Sequence, residues 1–478
     1  MGLKNIIIRK EVNNMNFKKV LSMALVCTMA IACISGCGVS NDARTSDGKV
    51  TISVGKWPEK GTTSYETKME QVKLFTEKYP NIEVVGDTYK YEVNTFTAKA
   101  TAGTLPTVFP TWFTEVDKIV SAGYAADLTD VLKDNGWLSQ MNTDVLKYVS
   151  DDKGNVYGIP FKVYAQGLYI NKPIFEQAGL VDGNGEIIIP KTYDDVYEAA
   201  KTIKEKTGKA GFGFATINNQ GGWHTINVAW AHGAEFLSKA EDGKYTSTMN
   251  SPETVAAYEW VKKMRAAKVF PDNPNLQGND LQTLFGAGQL GMFIGEPSYV
   301  SGMVKNYGIK PEAIIMTSMP EGPKGSNAQM GGDLYMIAAN ATPEQIDASL
   351  KWIDFVGHGP TLTDETIQNL KKNYETTIGE GGVVLPRDAF YLWTDEDSVK
   401  KHIDARKEFV NIPESNLETY YAFEGVTLMP EPEAGCQELY AELDKVVQEI
   451  YSDPDVDVSK MVKEASDNWQ LNCLDNLK

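Results

Sequence analysis

The amide-rich segment Asn218–His224 carries the side chains with the most evident binding chemistry in this sequence. It holds three amide residues, two glycines and the indole of Trp223. A side-chain amide both donates and accepts hydrogen bonds, and an indole offers a flat apolar surface for stacking. Such a combination suits the noncovalent recognition of hydroxyl groups, so we predict that Asn219 and Trp223 contact a ligand. A polar surface loop is the alternative interpretation.

Two pairs of an aromatic and an acidic residue follow strand-like runs. Trp57 comes directly after the first run, with Glu59 two residues later, and Trp112 follows another run, with Glu115 three residues later. Open α/β sheets present ligand-binding groups just beyond the ends of their strands. We therefore predict that these four residues contact the ligand. Core packing is the alternative for both indoles.

Patterns typical of nucleotide sites, metal sites and catalysis are weak. Gly286–Gly291 has dinucleotide-type glycine spacing, but a helix-like run precedes it and a strand-like run follows, the reverse of the fingerprint. The acidic run 453–464 has the spacing of calcium ligands, but Val458 stands where that loop needs glycine. His224 and His232 are too far apart for helical i, i+4 metal ligation. We predict no metal, no cofactor and no enzymatic activity. A pair of glycosidase carboxylates is the remaining enzymatic alternative, because its members need only approach in space.

The elements that would position these residues alternate between strand-like and helix-like patterns. Ile52 and Val54 alternate with polar neighbours, and apolar residues within 65–79 then recur at helical spacing until Pro80. Further helices are indicated by capping residues at Thr192, Ser251 and Thr342. Strands that alternate with helices predict α/β layers.

The composition is that of an ordinary globular protein. The chain has 478 residues, of which 42% are hydrophobic and 23% charged, and this length is sufficient for two domains. Its formal charge is −18, from 46 basic and 64 acidic residues. Such a field repels phosphate backbones, and no basic stripe with aromatic residues counters it. Nucleic acid is therefore not an expected partner.

The amino-terminal segment has the order of a secretory signal. Lys18 and Lys19 precede the apolar run 20–35, and Cys37 follows small residues. A basic segment, an apolar segment and small residues in this order are typical of a signal peptide. The run Ile34–Cys37 resembles the lipobox of bacterial lipoprotein signals, which implies cleavage before Cys37 and a lipid on its sulfur. A buried apolar helix with a chance cysteine is the alternative.

Two segments follow from this interpretation. Residues 1–36 would be the signal peptide with its lipobox, and residues 37–49, which are mostly polar or small, would form a flexible tether. Met15 serves as well as Met1 for the start of such a signal. Lipid attachment would hold the mature protein on the outer face of the cytoplasmic membrane.

Two further cysteines remain in the mature body. Cys436 and Cys473 both lie near the carboxyl terminus. In an exported protein they could form one disulfide that ties the last two helices together. Two buried free thiols are an equally good interpretation.

Several stretches, taken in order, carry a family resemblance. They are Phe75–Ile82, Ala102–Pro106, Gly123–Leu128, Val156–Pro160, Leu168–Lys172, Phe175–Leu180, Pro190–Tyr193, Gly291–Gly295 and Gly331–Tyr335. In this order they resemble the extracellular solute-binding proteins of ABC importers, in the large group that binds sugars and oligosaccharides. Thr107, Ile170 and Glu296 depart from the residues that this family usually has, and they leave the ligand identity open.

The resemblance implies the α/β fold of periplasmic binding proteins. In that fold two lobes are joined by a hinge, and the ligand lies in the cleft between them. Because the chain crosses between the lobes, each lobe is discontinuous. The expected boundaries are 50–161 and about 291–338 for the first lobe, 162–290 and about 339–430 with shared rim helices for the second, and 431–478 for carboxyl-terminal helices.

The resemblance also implies further ligand contacts. Glu296 and Tyr299 follow a strand-like run at a position where the family usually contacts its ligand, and Tyr164 lies in the first crossing. The remaining candidates are Trp230, Asp333, Tyr335 and the rim residue Trp393. A sugar has an apolar C–H face and a fringe of hydroxyls, so its site needs aromatic platforms with hydrogen-bonding groups. Core packing is the alternative for Trp230.

The implied function is that of a lipid-anchored receptor. It would bind a carbohydrate, expected to be an oligosaccharide, and deliver it to the permease subunits of an ABC importer. A monomer without a cofactor is expected. A receptor of the same fold for another solute and a secreted glycoside-active enzyme are the alternatives.

Overall fold

The computed structural model describes residues 48–477. The signal peptide predicted at 1–36, the lipidation site predicted at Cys37 and most of the tether lie outside the described residues. Within the described range, no helix is both long enough and apolar enough to cross a membrane.

Strands and helices alternate through most of the described chain. The strands are β1 (Val50–Val54), β2 (Ile82–Gly86), β3 (Val108–Trp112), β4 (Gly158–Ala165), β5 (Gly167–Asn171), β6 (Ala210–Gly213), β7 (Leu237–Lys239), β8 (Tyr245–Ser247), β9 (Leu290–Gly295), β10 (Ile314–Thr317), β11 (Glu321–Gly322), β12 (Gly325–Ile337) and β13 (Val426–Pro430). The helices are α1 (Thr63–Lys78), α2 (Val93–Thr101), α3 (Val116–Ser121), α4 (Thr129–Asp134), α5 (Thr143–Leu146), α6 (Lys172–Ala178), α7 (Tyr193–Thr207), α8 (Gln220–His232), α9 (Pro252–Ala266), α10 (Gly278–Gly286), α11 (Tyr299–Tyr307), α12 (Pro343–Phe355), α13 (Asp364–Gly379), α14 (Glu396–Arg406), α15 (Glu418–Ala422), α16 (Cys436–Ser452) and α17 (Val458–Asn472). The predicted α/β class is confirmed.

Within residues 48–477, the first sheet has seven strands. Its main order is β11-β12-β3-β1-β2, and β4 and β13 also pair with β12. Strand β1 runs parallel to β2 and β3, whereas β12 runs antiparallel to β3 and β4. The core beside this sheet includes Ile52, Phe75, Val108, Leu334 and Trp352. We call the part of the chain built around this core the first lobe.

The second sheet has four strands in the order β10-β5-β9-β6. Every residue of β9 is buried, as expected for an apolar strand that is covered on both faces. It pairs antiparallel with β5 and parallel with β6. The core on one face includes Ile170, Phe212, Trp260 and Met292. We call the part of the chain built around this sheet the second lobe.

The chain crosses between the lobes at neighbouring points. Strand β4 belongs to the first sheet and β5 to the second, with Gln166 between them. Strand β12 pairs with β13 through Ser326–Met330 and with β4 from Gly331 onward. After Pro430 the chain enters α16, which packs against α8 of the second lobe. The crossings thus lie side by side at the junction of the lobes.

The predicted helix caps are confirmed. Thr192 and Asp195 form a capping box at the start of α7, and Thr342 and Gln345 form one at the start of α12. Ser251 accepts a hydrogen bond from the backbone of α9. Each cap satisfies amide groups that the first turn of a helix leaves without partners.

Two lobe boundaries differ from the expected ones. The expected return to the first lobe near residue 291 falls in β9, which lies inside the second sheet. The return occurs instead along β12, which pairs with β3. Helix α12, expected in the second lobe, packs on the first, where Gln345 Nε2 donates to the carbonyl of Thr51 at 2.9 Å. Long-range strand pairing decides these boundaries, and local sequence spacing does not reveal it.

Helices α16 and α17 complete the second lobe. They pack against each other and against α9, with Tyr440, Val447 and Trp469 in the same core as Phe212. Both Cys436 and Cys473 are buried free thiols. The sequence left open a disulfide or two free thiols, and the structure has two free thiols.

Candidate ligand-binding cleft

A cavity of about 200 Å³ lies between the lobes beside the crossing strands. The lining residues are Trp112, Thr114, Tyr164, Gly332 and Glu431 on the first-lobe and crossing side, and Asn218, Asn219, Gln220, Trp223, Tyr299, Gln437 and Tyr440 on the second-lobe side. Trp112 ends β3, and Tyr299 follows the end of β9 by four residues. This position, beyond the ends of strands, is where open α/β sheets bind ligands.

Aromatic rings from both lobes face this cavity. The indole of Trp112 is 37% exposed and packs edge-on against Tyr91 at a centroid distance of 5.1 Å. Tyr164 on β4 meets Trp223 of α8 with centroids 6.4 Å apart and planes at 79°. The structure therefore brings together four of the predicted aromatic residues, Trp112, Tyr164, Trp223 and Tyr299.

The amide-rich segment forms the second-lobe wall of the cavity. Asn218 and Asn219 have φ values of 60° and 66°, and asparagine tolerates this left-handed region better than most residues. The side chain of Asn219 donates to Gln437 Oε1 at 3.1 Å. Gln437 in turn donates to Thr114 Oγ1 of the first lobe at 3.2 Å. Amide and hydroxyl groups of both lobes are thus linked across the cavity.

A carboxylate from α16 caps the start of α8. Asp444 accepts hydrogen bonds from the backbone amides of Asn219 at 2.7 Å and Gly222 at 2.8 Å. The two helices come this close because Gly221 and Gly222 have no Cβ that would collide with Asp444 and with the backbone of Tyr440. Burial raises the pKa of Asp444 to about 6, and the backbone donors counter that shift.

Glu431 was not among the predicted site residues. It follows β13, lines the cavity and accepts a hydrogen bond from the Tyr440 hydroxyl at 2.8 Å. Burial raises its pKa to about 8, and the nearby Glu115 and Asp333 add to the shift. In the sequence, the Pro430–Glu433 run follows a strand-like segment, and this placement is only weak evidence that Glu431 belongs to a binding site. The position of Glu431 depends on the return of a distant part of the chain to the hinge.

An ion pair connects the lobes beside the cavity. Lys162 of β4 pairs with Glu296, which follows β9 in the second lobe, and its ammonium donates to Ser298 Oγ at 3.2 Å. The same ammonium lies 4.9 Å from the ring centroid of Tyr164, a cation–π distance. The predicted residue Glu296 is therefore in the cleft region, but its carboxylate is paired with a lysine.

A second ion pair lies on the first-lobe side. Lys56 Nζ is 3.6 Å from Asp333 Oδ2. Burial raises the pKa of Asp333, whereas Lys162 and Lys56 lower it. Tyr335, two residues along β12, stacks on Phe161 at a centroid distance of 4.2 Å. Neither Asp333 nor Tyr335 is among the residues that line the cavity.

Three predicted residues near the first strands lie elsewhere. Trp57 is 7% exposed and stacks on Trp352 with centroids 6.1 Å apart, in the first-lobe core. Glu59 is exposed. Glu115 is buried and accepts a hydrogen bond from the Tyr91 hydroxyl, and burial raises its pKa. The core alternative holds for Trp57, because its ring lies over the end of β2, where Gly86 leaves room.

Two predicted tryptophans also lie outside the cavity. Trp393 packs edge-on against Trp137 at 5.6 Å in the first-lobe core. Trp230, near the end of α8, packs against Phe236 and lines a different cavity of about 900 Å³. That cavity lies between the 113–154 part of the first lobe and the 230–245 part of the second, and Thr114 and Glu431 border both cavities.

The lining groups are suited to noncovalent binding. Aromatic faces can stack on a ligand, and amides, hydroxyls and one carboxyl group can exchange hydrogen bonds with it. Across residues 48–477, no cluster of His, Cys, Asp and Glu could hold a metal ion.

Comparison with known proteins places the chain in a family. The family model for the bacterial extracellular solute-binding protein matches residues 59–357. The diacetylchitobiose binding protein DasA of Streptomyces coelicolor is 27% identical over 245 residues, which are 50% of this chain and 54% of DasA. The sn-glycerol-3-phosphate-binding periplasmic protein UgpB of Agrobacterium fabrum is 27% identical over 202 residues, which are 40% of this chain and 44% of UgpB. The chain thus spans about half the length of these two relatives.

A solved structure gives the same fold. The ABC substrate-binding protein Lmo0181 from Listeria monocytogenes, in complex with cycloalternan, has a TM-score of 0.66 and 17% identity. The match covers 89% of this chain and 99% of that chain. The two-lobed fold predicted from the sequence is therefore confirmed. The family match covers more than half of the sequence, and the chain belongs to the bacterial extracellular solute-binding proteins.

Proposed function

We propose that this protein is the substrate-binding lipoprotein of an ABC importer and that it binds a carbohydrate in the cleft between its lobes. The observation that carries the proposal is the arrangement of Trp112, Tyr164 and Trp223 around one cavity. These rings come from both lobes and from a crossing strand, and amide side chains line the same cavity. The name of one relative, the diacetylchitobiose binding protein DasA, supports the same ligand class.

The proposed mechanism is closure of the lobes on the ligand. A sugar that stacks on Trp112 of the first lobe and Trp223 of the second makes more contacts when the lobes are close. Differential affinity of this kind shifts the population toward the closed state. The crossing strands, which lie side by side, form the hinge, and the closed receptor delivers the sugar to the permease subunits.

The proposed location is outside the cytoplasm, with Cys37 as the lipid anchor. The lipobox-like run before Cys37 supports this part of the proposal. Replacement of Cys37 by serine is expected to abolish incorporation of labelled palmitate in cells and to release the protein from the membrane fraction. Retention of both label and membrane association would contradict the anchor.

The experiment that tests the ligand class is a thermal-shift screen with neutral oligosaccharides. A ligand at 100 times its dissociation constant stabilises its receptor by about 2.7 kcal/mol, which gives a measurable rise in Tm. The Trp223→Ala variant should lose about half of this rise or more, because a ligand bound 10-fold more weakly at the same concentration stabilises by only about 1.4 kcal/mol. Tyr197→Ala, which removes a partly exposed ring on α7, is the matched control and should keep it. No response to any sugar would contradict the proposal.

The same samples test the non-enzymatic role that we propose. Labelled oligosaccharides incubated with the protein should be recovered unchanged, because the cleft is proposed only to bind them. Release of shorter products would favour a glycoside-active enzyme instead.

A further inference from the structure

The start of α8 is the place in the cleft where an anion would be expected to bind. The first turn of a helix carries free backbone amides and a partial positive charge, which together attract phosphate and carboxylate groups. Helix α8 runs for 13 residues from Gln220, and Gln220 and its two preceding residues line the cavity. Among the relatives, UgpB is named for a phosphate ester and DasA for an uncharged disaccharide.

In this chain the start of α8 already holds an internal anion. The carboxylate of Asp444, which is 5% exposed, accepts the backbone amides of Asn219 and Gly222. Asn219 itself makes no side-chain cap. Asp444 thus takes the hydrogen bonds that a phosphate group would otherwise receive there.

The nearby lysines also form ion pairs with carboxylates. Lys162 pairs with Glu296 and Lys56 with Asp333. Among the described residues that line the cavity there is no lysine, arginine or histidine, and the one acidic residue is Glu431. A phosphate ester would therefore enter the cavity without a cation or a free helix start to balance its charge.

We infer that the cleft selects uncharged, hydroxyl-rich ligands and excludes phosphate esters, with Asp444 as the residue that sets this specificity. The inference rests on the proposed function and deepens it, since it names which sugars the site accepts. Asp444 acts through the backbone of α8, so it is a positioning residue and not a ligand contact.

The test compares neutral and phosphorylated probes by isothermal titration calorimetry. The neutral probes are maltose and N,N′-diacetylchitobiose, and the anionic probes are glycerol 3-phosphate and maltose 1-phosphate. The wild-type protein should bind at least one neutral probe, and each phosphate ester should bind at least 100-fold more weakly than that probe. Comparable or tighter binding of a phosphate ester would overturn the inference and leave the two-lobed receptor intact.

The Asp444→Asn variant tests the role of the carboxylate. The amide keeps one acceptor for α8 but removes the negative charge, so affinity for glycerol 3-phosphate should rise at least 10-fold. Asp457→Asn changes another helix-capping aspartate, at the start of α17, and should cause no such rise. An Asp444→Asn protein that keeps its fold without the rise would overturn the assigned role of Asp444.

A second variant covers the case in which Asp444→Asn does not fold. Glu296→Gln frees the ammonium of Lys162 and should also raise the affinity for glycerol 3-phosphate. Unchanged affinity in Glu296→Gln would contradict the charge-balance argument. Failure of the wild-type protein to bind any neutral sugar, in these titrations or in the thermal-shift screen, would overturn the proposed carbohydrate ligand, and the inference with it.

Discussion

Replacement of Glu431 by glutamine should make the protein more stable at alkaline pH. The Glu431 carboxyl is held between the lobes with the Tyr440 hydroxyl as its hydrogen-bond donor. The other charged or titratable groups near it are Glu115, Asp333, Tyr148, Tyr164 and Cys436. None of them is a cation. Burial is the main cause that raises its pKa from 4.5 to about 8.

The sign and size of the effect follow from this shift. Above pH 4.5 the unfolded chain has lost a proton that the folded protein still holds, so the free energy of unfolding falls as pH rises through 8. With one pKa unit equal to about 1.4 kcal/mol, the loss between pH 7 and pH 9 is about 1.4 kcal/mol from this group. Glutamine cannot ionise, so the Glu431→Gln variant should lack this part of the loss.

The assay is equilibrium unfolding in urea at pH 7 and pH 9. The difference between the two pH values should be smaller in Glu431→Gln than in the wild type by about 1.4 kcal/mol. Glu424→Gln, a change at an exposed position before β13, controls for a general charge effect and should behave as the wild type. Equal pH dependence in Glu431→Gln and the wild type would refute the reasoning.

Three further predictions test other parts of the structure. Trp57→Ala should lower the free energy of unfolding by about 3–5 kcal/mol in urea titrations, because the ring lies in the first-lobe core; a loss below about 1 kcal/mol would show that it does not. Lys162→Met removes the partner of Glu296 across the lobes, so small-angle scattering of the ligand-free protein should give a larger radius of gyration, and an unchanged radius would contradict the bridging role. Cys436 and Cys473 should both react with a thiol reagent after unfolding without reductant, whereas no reaction would indicate a disulfide.

The α/β fold class and the order of strands and helices can be predicted from local sequence patterns. The capping residues Thr192 and Thr342 act over three positions, so their helices can be predicted from the sequence. Trp223 and Asn219 occupy one helix start, and a short segment suffices to propose them together. Tyr164 and Tyr299 can be predicted only from the family resemblance. The resemblance indicates where the chain crosses between the lobes, and local sequence spacing does not.

The differences between the predicted and the observed positions of these residues come from contacts between distant parts of the chain. Trp57 and Trp112 both follow a strand, yet Gly86 on a neighbouring strand gives the Trp57 ring space in the core, and nothing near Trp57 in the sequence indicates this. Glu431 and Asp444 reach the cleft because the last helices fold back onto α8. Their roles depend on a pairing of segments about 220 residues apart, which a single sequence does not reveal.

The most direct test of the central claim is a double-mutant cycle measured by calorimetry. Wild type, Trp112→Ala, Trp223→Ala and the double variant would be titrated with the neutral oligosaccharide that gives the largest thermal shift. If one sugar stacks on both lobes at once, each single change should weaken binding about 10- to 100-fold, as expected for losing a stacking contact of about 1.5–3 kcal/mol. The double variant should then differ from the product of the two effects, because the residues act on one ligand. Full wild-type affinity in both single variants would contradict the claim that the cleft between the lobes holds the sugar.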